Sequence, residues 1–192
     1  MMNEFLGTTQ AYLVTIRDLR IEVLFYKKAD YRYYLRLLRK YKRKFGVQVF
    51  AFCLISGAVY LILHPRQAAD LSLFIRAIQQ DYLKYFNDRY PQIKKLYVAK
   101  SETRAISLDQ ELFDAIKLVE FVPVMLAMVK SPVLYPWSSC SYRILARRSR
   151  ILDARINGDV LRRGERVNPL LPPDTKKVRT MKTSLHVAYQ LV

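Results

Sequence analysis

The chain has 192 residues and carries 33 lysines and arginines against 16 acidic residues, which gives a net charge of +17. Its hydrophobic content of 52%, with 14 tyrosines and 9 phenylalanines, excludes a wholly disordered protein, and two cysteines are too few for a disulfide-stapled fold. The two histidines, His64 and His186, are too far apart in sequence to form a His-x-His metal motif.

The hydrophobic pattern of the first third of the chain predicts a strand, a helix and then two further strands. Residues 11–16 are apolar and β-branched, as in a strand, and residues 29–45 show the 3.6-residue periodicity of an amphipathic helix. Residues 47–55 and 59–63 have the composition of strands and flank a Ser-Gly turn.

The middle of the chain predicts a second helix, another strand and a third helix. The helix covers residues 71–86 with Asp70 as its N-cap, and the strand covers residues 95–106. A capping-box spacing at Ser107 begins the third helix, which we expect Pro123 to interrupt or restart. The order β-α-β-β-α-β predicts an α+β fold, a ferredoxin-like split βαβ antiparallel sheet with helices packed on it.

The positive charge is concentrated in two blocks. Residues 17–44 contain 11 basic and 3 acidic side chains, and residues 143–182 contain 12 basic and 4 acidic. Such blocks predict a polyanionic partner and favour nucleic acid over an anionic membrane surface, with a solvated cationic face as the alternative. The candidate phosphate contacts are Arg32, Arg36, Arg39, Lys40, Arg43 and Lys44 on the first helix, and Arg147, Arg148, Arg150, Arg162 and Arg163 near the C-terminus.

Residues 45–63 contain no charged side chain and follow a basic run, so one span in the inner membrane is an alternative interpretation. Their β-branched and aromatic composition and their central turn favour two strands instead. The first ten residues lack the basic start and apolar stretch of a signal peptide, and the cysteine content indicates a reducing compartment. We therefore expect a cytoplasmic protein.

Four short motifs carry a resemblance to a known family. They are Tyr-Leu-Val-Thr-Ile-Arg at residues 12–17, Phe-Tyr and then Asp-Tyr within residues 25–31, Tyr-Leu-Lys-Tyr-Phe-Asn at residues 82–87, and Tyr-Pro-Trp-Ser-Ser at residues 135–139 followed by Tyr142. In this order they resemble the REP-associated tyrosine transposases, a branch of the single-tyrosine HUH transposases. The resemblance implies a transposase-like domain at residues 1–142, and the basic composition and prolines of residues 143–192 predict a basic, partly disordered extension outside the resemblance. Aromatic core positions of an unrelated α+β domain are the alternative.

The resemblance also implies a catalytic site that this sequence does not reproduce. In the resembled family, two histidines hold a divalent metal such as magnesium or manganese, and a tyrosine attacks the phosphodiester. The corresponding positions hold Ala58 and Tyr60 instead of the ligands, and Glu111 instead of the nucleophile. We therefore expect no cofactor, and we expect a structural role for His64.

The residues together predict a DNA-binding protein derived from a single-tyrosine transposase, which binds hairpin or single-stranded DNA without cleaving it. Tyr60 and Tyr97 are candidate stacking platforms for unpaired bases, although packing in the sheet is favoured. An active transposase or DNA-nicking enzyme with an altered site stays open, and we expect a monomer or a homodimer. A further alternative is a carboxylate cluster on the third helix, formed by Asp109, Glu111, Asp114 and Glu120.

Overall fold

The computed structural model describes residues 10–17, 23–93, 100–107 and 110–153. Within these residues the strands are β1 (Gln10–Arg17), β2 (Gln48–Ile55), β3 (Ala58–His64) and β4 (Lys100–Ser107). The helices are α1 (Lys28–Phe45), α2 (Ala68–Arg89), α3 (Gln110–Met125) and the short α4 (Cys140–Ile144), with one 3-10 turn at Pro132–Leu134.

The four strands form one sheet in the order β2-β3-β1-β4, and every neighbouring pair is antiparallel. Strands β1 and β2 are therefore parallel to each other with β3 between them, which is the split βαβ arrangement. Ile16 in β1 pairs with Val59 in β3 and with Ser101 in β4, so these three residues lie level across the sheet. The predicted fold class is confirmed.

Helices cover both faces of the sheet. The odd-numbered residues 59–63 of β3 pack with α1 and α2 in one core, whereas the even-numbered residues 58–62 pack with α3 in a second core. A strand that is buried on both faces carries apolar residues at every position. This burial explains the charge-free stretch at residues 45–63, and the membrane span considered for it is wrong. In the described part of the chain, no helix is long and apolar enough to cross a membrane.

The ends of α1 are set by Asp30 and Gly46. The Asp30 carboxylate accepts hydrogen bonds from the backbone N–H groups of Tyr26 and Lys27, at 3.0 and 2.8 Å, which satisfies donors at the helix start. Gly46 adopts a φ of +62°, and its N–H donates to the Lys42 carbonyl. A left-handed residue that closes the last turn is a common helix end, and glycine adopts it without strain.

Two predicted helix details are wrong. Asp70 is the third helical residue of α2 rather than its N-cap, and its carboxylate accepts the Gln67 N–H at 3.2 Å. Helix α3 continues through Pro123, which has no N–H to donate to the preceding turn, and ends two residues later at Met125. The predicted strand at residues 95–106 is confirmed from residue 100 onwards, and its first part lies outside the described residues.

The outer edge of β2 is covered by the chain that follows the 3-10 turn. The Leu54 N–H donates to the Trp137 carbonyl at 2.9 Å, and the Asp153 N–H donates to the Val49 carbonyl at 3.0 Å. Covering an edge strand in this way protects its unpaired backbone groups. The boundary after residue 142 stays a prediction, but residues 143–153 of the predicted extension contact the domain.

Candidate nucleic-acid interface

Helix α1 carries a stripe of cationic side chains on its outer face. Lys28, Arg32, Arg36, Arg39 and Arg43 lie within an arc of about 80° at 100° per residue, and we call these five residues the α1 stripe. All are exposed except Arg39, which is half-buried. The helix predicted from the sequence begins at residue 29, one residue after Lys28, and therefore does not include this cation.

In the described part of the chain, the cations of the α1 stripe have no acidic partner. Among the described residues, no salt bridge involves any of its five cations or the neighbouring Lys44. Lys40 differs, because its Nζ lies 2.9 Å from the Asp81 carboxylate and this hydrogen bond raises the pKa of Lys40. A row of like charges that no carboxylate neutralises produces a positive potential that attracts polyanions.

Lys42 has a different role from its neighbours. Its side chain is only 11% exposed, and its Nζ lies 2.7 Å from Asp153 Oδ2 and 2.6 Å from the Ile151 carbonyl oxygen. These contacts bring the start of the second basic block to the last turns of α1. In that block Arg147, Arg148 and Arg150 are exposed. Arg162 and Arg163 lie outside the described residues.

The two predicted metal-ligand positions lie under α3 and do not fit a divalent metal. Ala58 has no donor atom, and Tyr60 is 3% exposed. Burial raises the pKa of Tyr60 to about 12, so its phenol stays neutral at physiological pH. The buried ring offers no open face to a base, so Tyr60 is not a stacking platform and the favoured sheet packing is confirmed. Tyr97 lies outside the described residues.

Glu111 is not placed beside Ala58 and Tyr60. Its carboxylate accepts hydrogen bonds from Arg104 Nη2 and from the Ser107 N–H, both at 3.1 Å, at the end of β4. Ala58 lies level with the opposite end of β4, because Val59 and Ser101 both pair with Ile16. The structure therefore separates the predicted ligand positions from the predicted nucleophile position.

The remaining carboxylates on α3 are not gathered into a site. Glu120 is 4% exposed, and it accepts hydrogen bonds from Ser139 Oγ at 2.5 Å and Arg143 Nε at 3.1 Å. Within the described ranges, no group of three histidine, cysteine or acidic side chains could hold a metal ion. Asp109 lies outside those ranges. The structure thus gives the carboxylate-cluster alternative no support.

His64 contacts two residues of β2. Its Nδ1 lies 3.2 Å from Gln48 Oε1, and its ring stacks on Phe50 with ring centroids 5.5 Å apart. Both contacts join β3 to β2 at the end of the sheet.

Comparison with known proteins agrees with the sequence motifs. Residues 8–103 match the family model described as "Transposase IS200 like". The chain belongs to this family. A solved REP-associated tyrosine transposase bound to a REP hairpin is similar in structure, with a TM-score of 0.59 and 17% identity over 83% of this chain and 93% of that chain. At this identity the likeness shows a shared fold. No curated protein matches the chain.

In this IS200-like transposase family member, two of the motifs hold α1 and α2 together. Asp30 is fully buried and accepts hydrogen bonds from Tyr85 Oη at 2.9 Å and Tyr90 Oη at 2.8 Å. Tyr82 Oη donates to the Leu24 carbonyl at 2.6 Å. The tyrosines of the Tyr-Leu-Lys-Tyr-Phe-Asn motif thus join the end of α2 to the start of α1, and they position the α1 stripe.

The Tyr-Pro-Trp-Ser-Ser motif holds the edge of β2. Tyr135 Oη donates to the Leu54 carbonyl at 2.9 Å, and Ser139 Oγ accepts the Phe52 N–H at 3.1 Å. The Trp137 ring stacks on Tyr31 of α1 with ring centroids 4.7 Å apart. These contacts fix the path of the chain toward the second basic block.

Proposed function

We propose that this IS200-like transposase family member binds hairpin or single-stranded DNA through α1 and does not cleave it by the metal-and-tyrosine chemistry that its motifs imply. The observation that carries the proposal is the α1 stripe, which has no carboxylate partner among the described residues. The similar solved transposase is bound to a REP hairpin, which supports DNA of that class as the target.

The geometry of the stripe suits a phosphate backbone. From Arg32 to Arg43 the helix rises about 16 Å at 1.5 Å per residue, with roughly one cation per turn. Arginine can bind a phosphate with two parallel hydrogen bonds, and Arg32, Arg36 and Arg43 are exposed for this contact. Three or four neutralised phosphates would give a slope of about −3 in a plot of log affinity against log salt.

Three side chains argue against cleavage by the implied chemistry. The Ala58 side chain has no atom that can coordinate a metal, and the Tyr60 side chain is buried against α3. Glu111 is a carboxylate that an approaching phosphate would repel, and it already accepts two hydrogen bonds. Binding needs none of these three positions, so it is the activity that the described residues support best.

The test is a titration of labelled hairpin DNA at two salt concentrations. Replacing Arg32, Arg36 and Arg43 by glutamine is expected to weaken binding at least tenfold and to reduce the salt slope by about two to three. The matched control replaces Lys100, Lys117 and Lys130 by glutamine, which removes the same charge from β4, α3 and the loop after α3 and is expected to change binding much less. Absent or salt-insensitive binding, or equal losses in both variants, would contradict the proposal.

The same samples test cleavage. With magnesium or manganese present, we expect no nicked strand and no covalent protein–DNA adduct, and we expect chelation with EDTA to leave binding unchanged. If the wild type nicks the DNA and the variant that lacks Arg32, Arg36 and Arg43 does not, the alternative is established: an active DNA-nicking enzyme with an altered site.

A further inference from the structure

The first residues of the second basic block follow a path that is fixed at both ends. At one end the Arg147 N–H donates to the Tyr142 carbonyl at 2.9 Å. At the other end the Ile151 carbonyl accepts from Lys42 Nζ at 2.6 Å, and the Asp153 carboxylate lies 2.7 Å from the same nitrogen. Between these ends, Ser149 Oγ accepts the N–H groups of Ile151 and Leu152, both at 3.1 Å.

Asp153 makes more than one contact with the domain. Its Oδ2 accepts the Val49 N–H at 2.8 Å while its own N–H donates to the Val49 carbonyl at 3.0 Å. The side chains of Ile151 and Leu152 also pack against the core between the sheet and α1. The segment therefore lies along the edge of β2, beside the last turns of α1.

We propose that Lys42 and Asp153 are positioning residues for DNA binding: they hold Arg147, Arg148 and Arg150 beside the α1 stripe, so that the two blocks form one surface for a phosphate backbone. This inference rests on the proposed function of α1. Arg150 immediately precedes Ile151, whose carbonyl contacts Lys42, so its backbone is held next to the helix. Lys42 is mostly buried and contributes to the surface by this contact rather than by touching DNA.

For the neutralisation of Asp153, the proposal predicts a change in DNA affinity opposite in sign to the change that net charge alone predicts. Asp153 is an acidic residue in a cationic region, so its neutralisation would strengthen DNA binding if charge alone decided affinity. If Asp153 positions the three arginines, its neutralisation releases them. The free energy of DNA binding then includes the entropy cost of ordering these side chains, so affinity falls. The sign of the change separates the two cases.

The central variant is Asp153→Asn, because an asparagine oxygen can still accept the Val49 N–H while the charge on Lys42 loses its partner. We expect its affinity for hairpin DNA at low salt to fall roughly five- to tenfold. The matched control is Asp88→Asn, an exposed α2 position, which removes the same charge and is expected to leave affinity unchanged or slightly higher. Lys42→Arg keeps a cation beside Asp153 and is expected to retain most of the affinity.

A second set of variants tests whether the three arginines act through this contact. Replacing Arg147, Arg148 and Arg150 by glutamine is expected to reduce the salt slope by about two to three in the otherwise unchanged protein, and by much less in the Asp153→Asn background. A purely structural role of the pair would lower the melting temperature without this non-additivity. If Asp153→Asn does not fold, Lys42→Met carries the non-additivity test with the Asp153–Val49 bonds in place, and the loss of the Lys42 charge is matched by a Lys117→Met control.

The outcomes separate this inference from the function on which it rests. Wild-type protein that fails to bind DNA, or an α1-stripe variant that binds normally, overturns the proposed function. Normal α1-dependent binding together with an Asp153→Asn affinity equal to or above that of the wild type overturns only the positioning role.

Discussion

The hydrogen bonds to Asp30 predict that this residue is a major source of stability. Its carboxylate is fully buried and accepts two backbone N–H groups at the start of α1 and two tyrosine hydroxyls from the end of α2. Asp30→Ala removes these four hydrogen bonds at once, together with the ion pair between Asp30 and the exposed Arg89 at 3.7 Å. The substitution also leaves the Tyr90 hydroxyl without this acceptor, and Tyr90 is only 6% exposed.

The expected loss can be estimated from its parts. Removing a helix cap costs about 1 kcal/mol, and each hydrogen bond to a charged acceptor contributes about 1.5 kcal/mol. With both tyrosine bonds included, Asp30→Ala should lower the free energy of unfolding by about 4 kcal/mol. For a chain of this size that loss corresponds to a fall in melting temperature of about 8 to 16 °C.

The chain offers a matched control for this estimate. Asp70 occupies the same position in the capping box of α2, but its hydrogen bond to the Gln67 N–H is exposed, and no tyrosine bond to it accompanies the cap among the described residues. Asp70→Ala should cost only about 1 kcal/mol. Urea denaturation of both variants gives the comparison. If the two losses agree within 1 kcal/mol, the tyrosine bonds do not contribute and the reasoning is refuted.

Three further predictions follow from single contacts. Because burial raises the pKa of Tyr60 to about 12, the folded state holds a proton that the unfolded state loses near pH 10. The contribution of Tyr60 to stability should therefore be constant below about pH 9 and fall between pH 10 and 12, and in pH-dependent denaturation Tyr60→Phe should reduce the slope in that range by about 1.4 kcal/mol per pH unit. Arg143→Met leaves Glu120 buried without its charge partner and should cost about 3 to 5 kcal/mol, whereas the double variant with Glu120→Leu should recover part of the loss in urea denaturation. Gly46→Ala should cost at least about 1 kcal/mol, because φ is +62° and the new Cβ would lie 2.9 Å from Arg66 Nε; an unchanged denaturation midpoint would contradict this.

Much of the fold was predictable because its signals are local. The periodicity of α1 and the β-branched composition of β2 and β3 each arise from the face that a residue buries, and the element order then selects the sheet topology. The errors occurred where local signals compete with tertiary structure. Asp70 has the chemistry of an N-cap, but a backbone turn that begins at Gln67 starts the helix earlier. Pro123 is a helix breaker in sequence, yet α3 continues through it to Met125 while Val119 and Val122 pack in the core.

The candidate interface was predictable in composition but not in arrangement. The basic residues of α1 are visible in the sequence, and helical periodicity places them on one face. Helical periodicity places Lys42 outside the α1 stripe and toward buried Leu38, but it does not identify Asp153 as the residue against which Lys42 is mostly buried. That contact joins residues 111 positions apart, which periodicity cannot reveal.

The alternation of β3 separates the proposed DNA-binding surface from the residues at the implied catalytic positions. Residues 58 and 60 point toward α3, whereas residues 59 and 61 point toward α1 and α2. A change at Ala58 or Tyr60 therefore alters packing on one face of the sheet, and the α1 stripe lies beyond the other face. The α1 stripe depends instead on Asp30 and on the tyrosines of α2 that bind it, which lie outside the sheet. Substitutions at Asp30 should consequently impair both stability and DNA binding, whereas Ala58→Ser, a small change under α3, should leave DNA affinity within about twofold of the wild type.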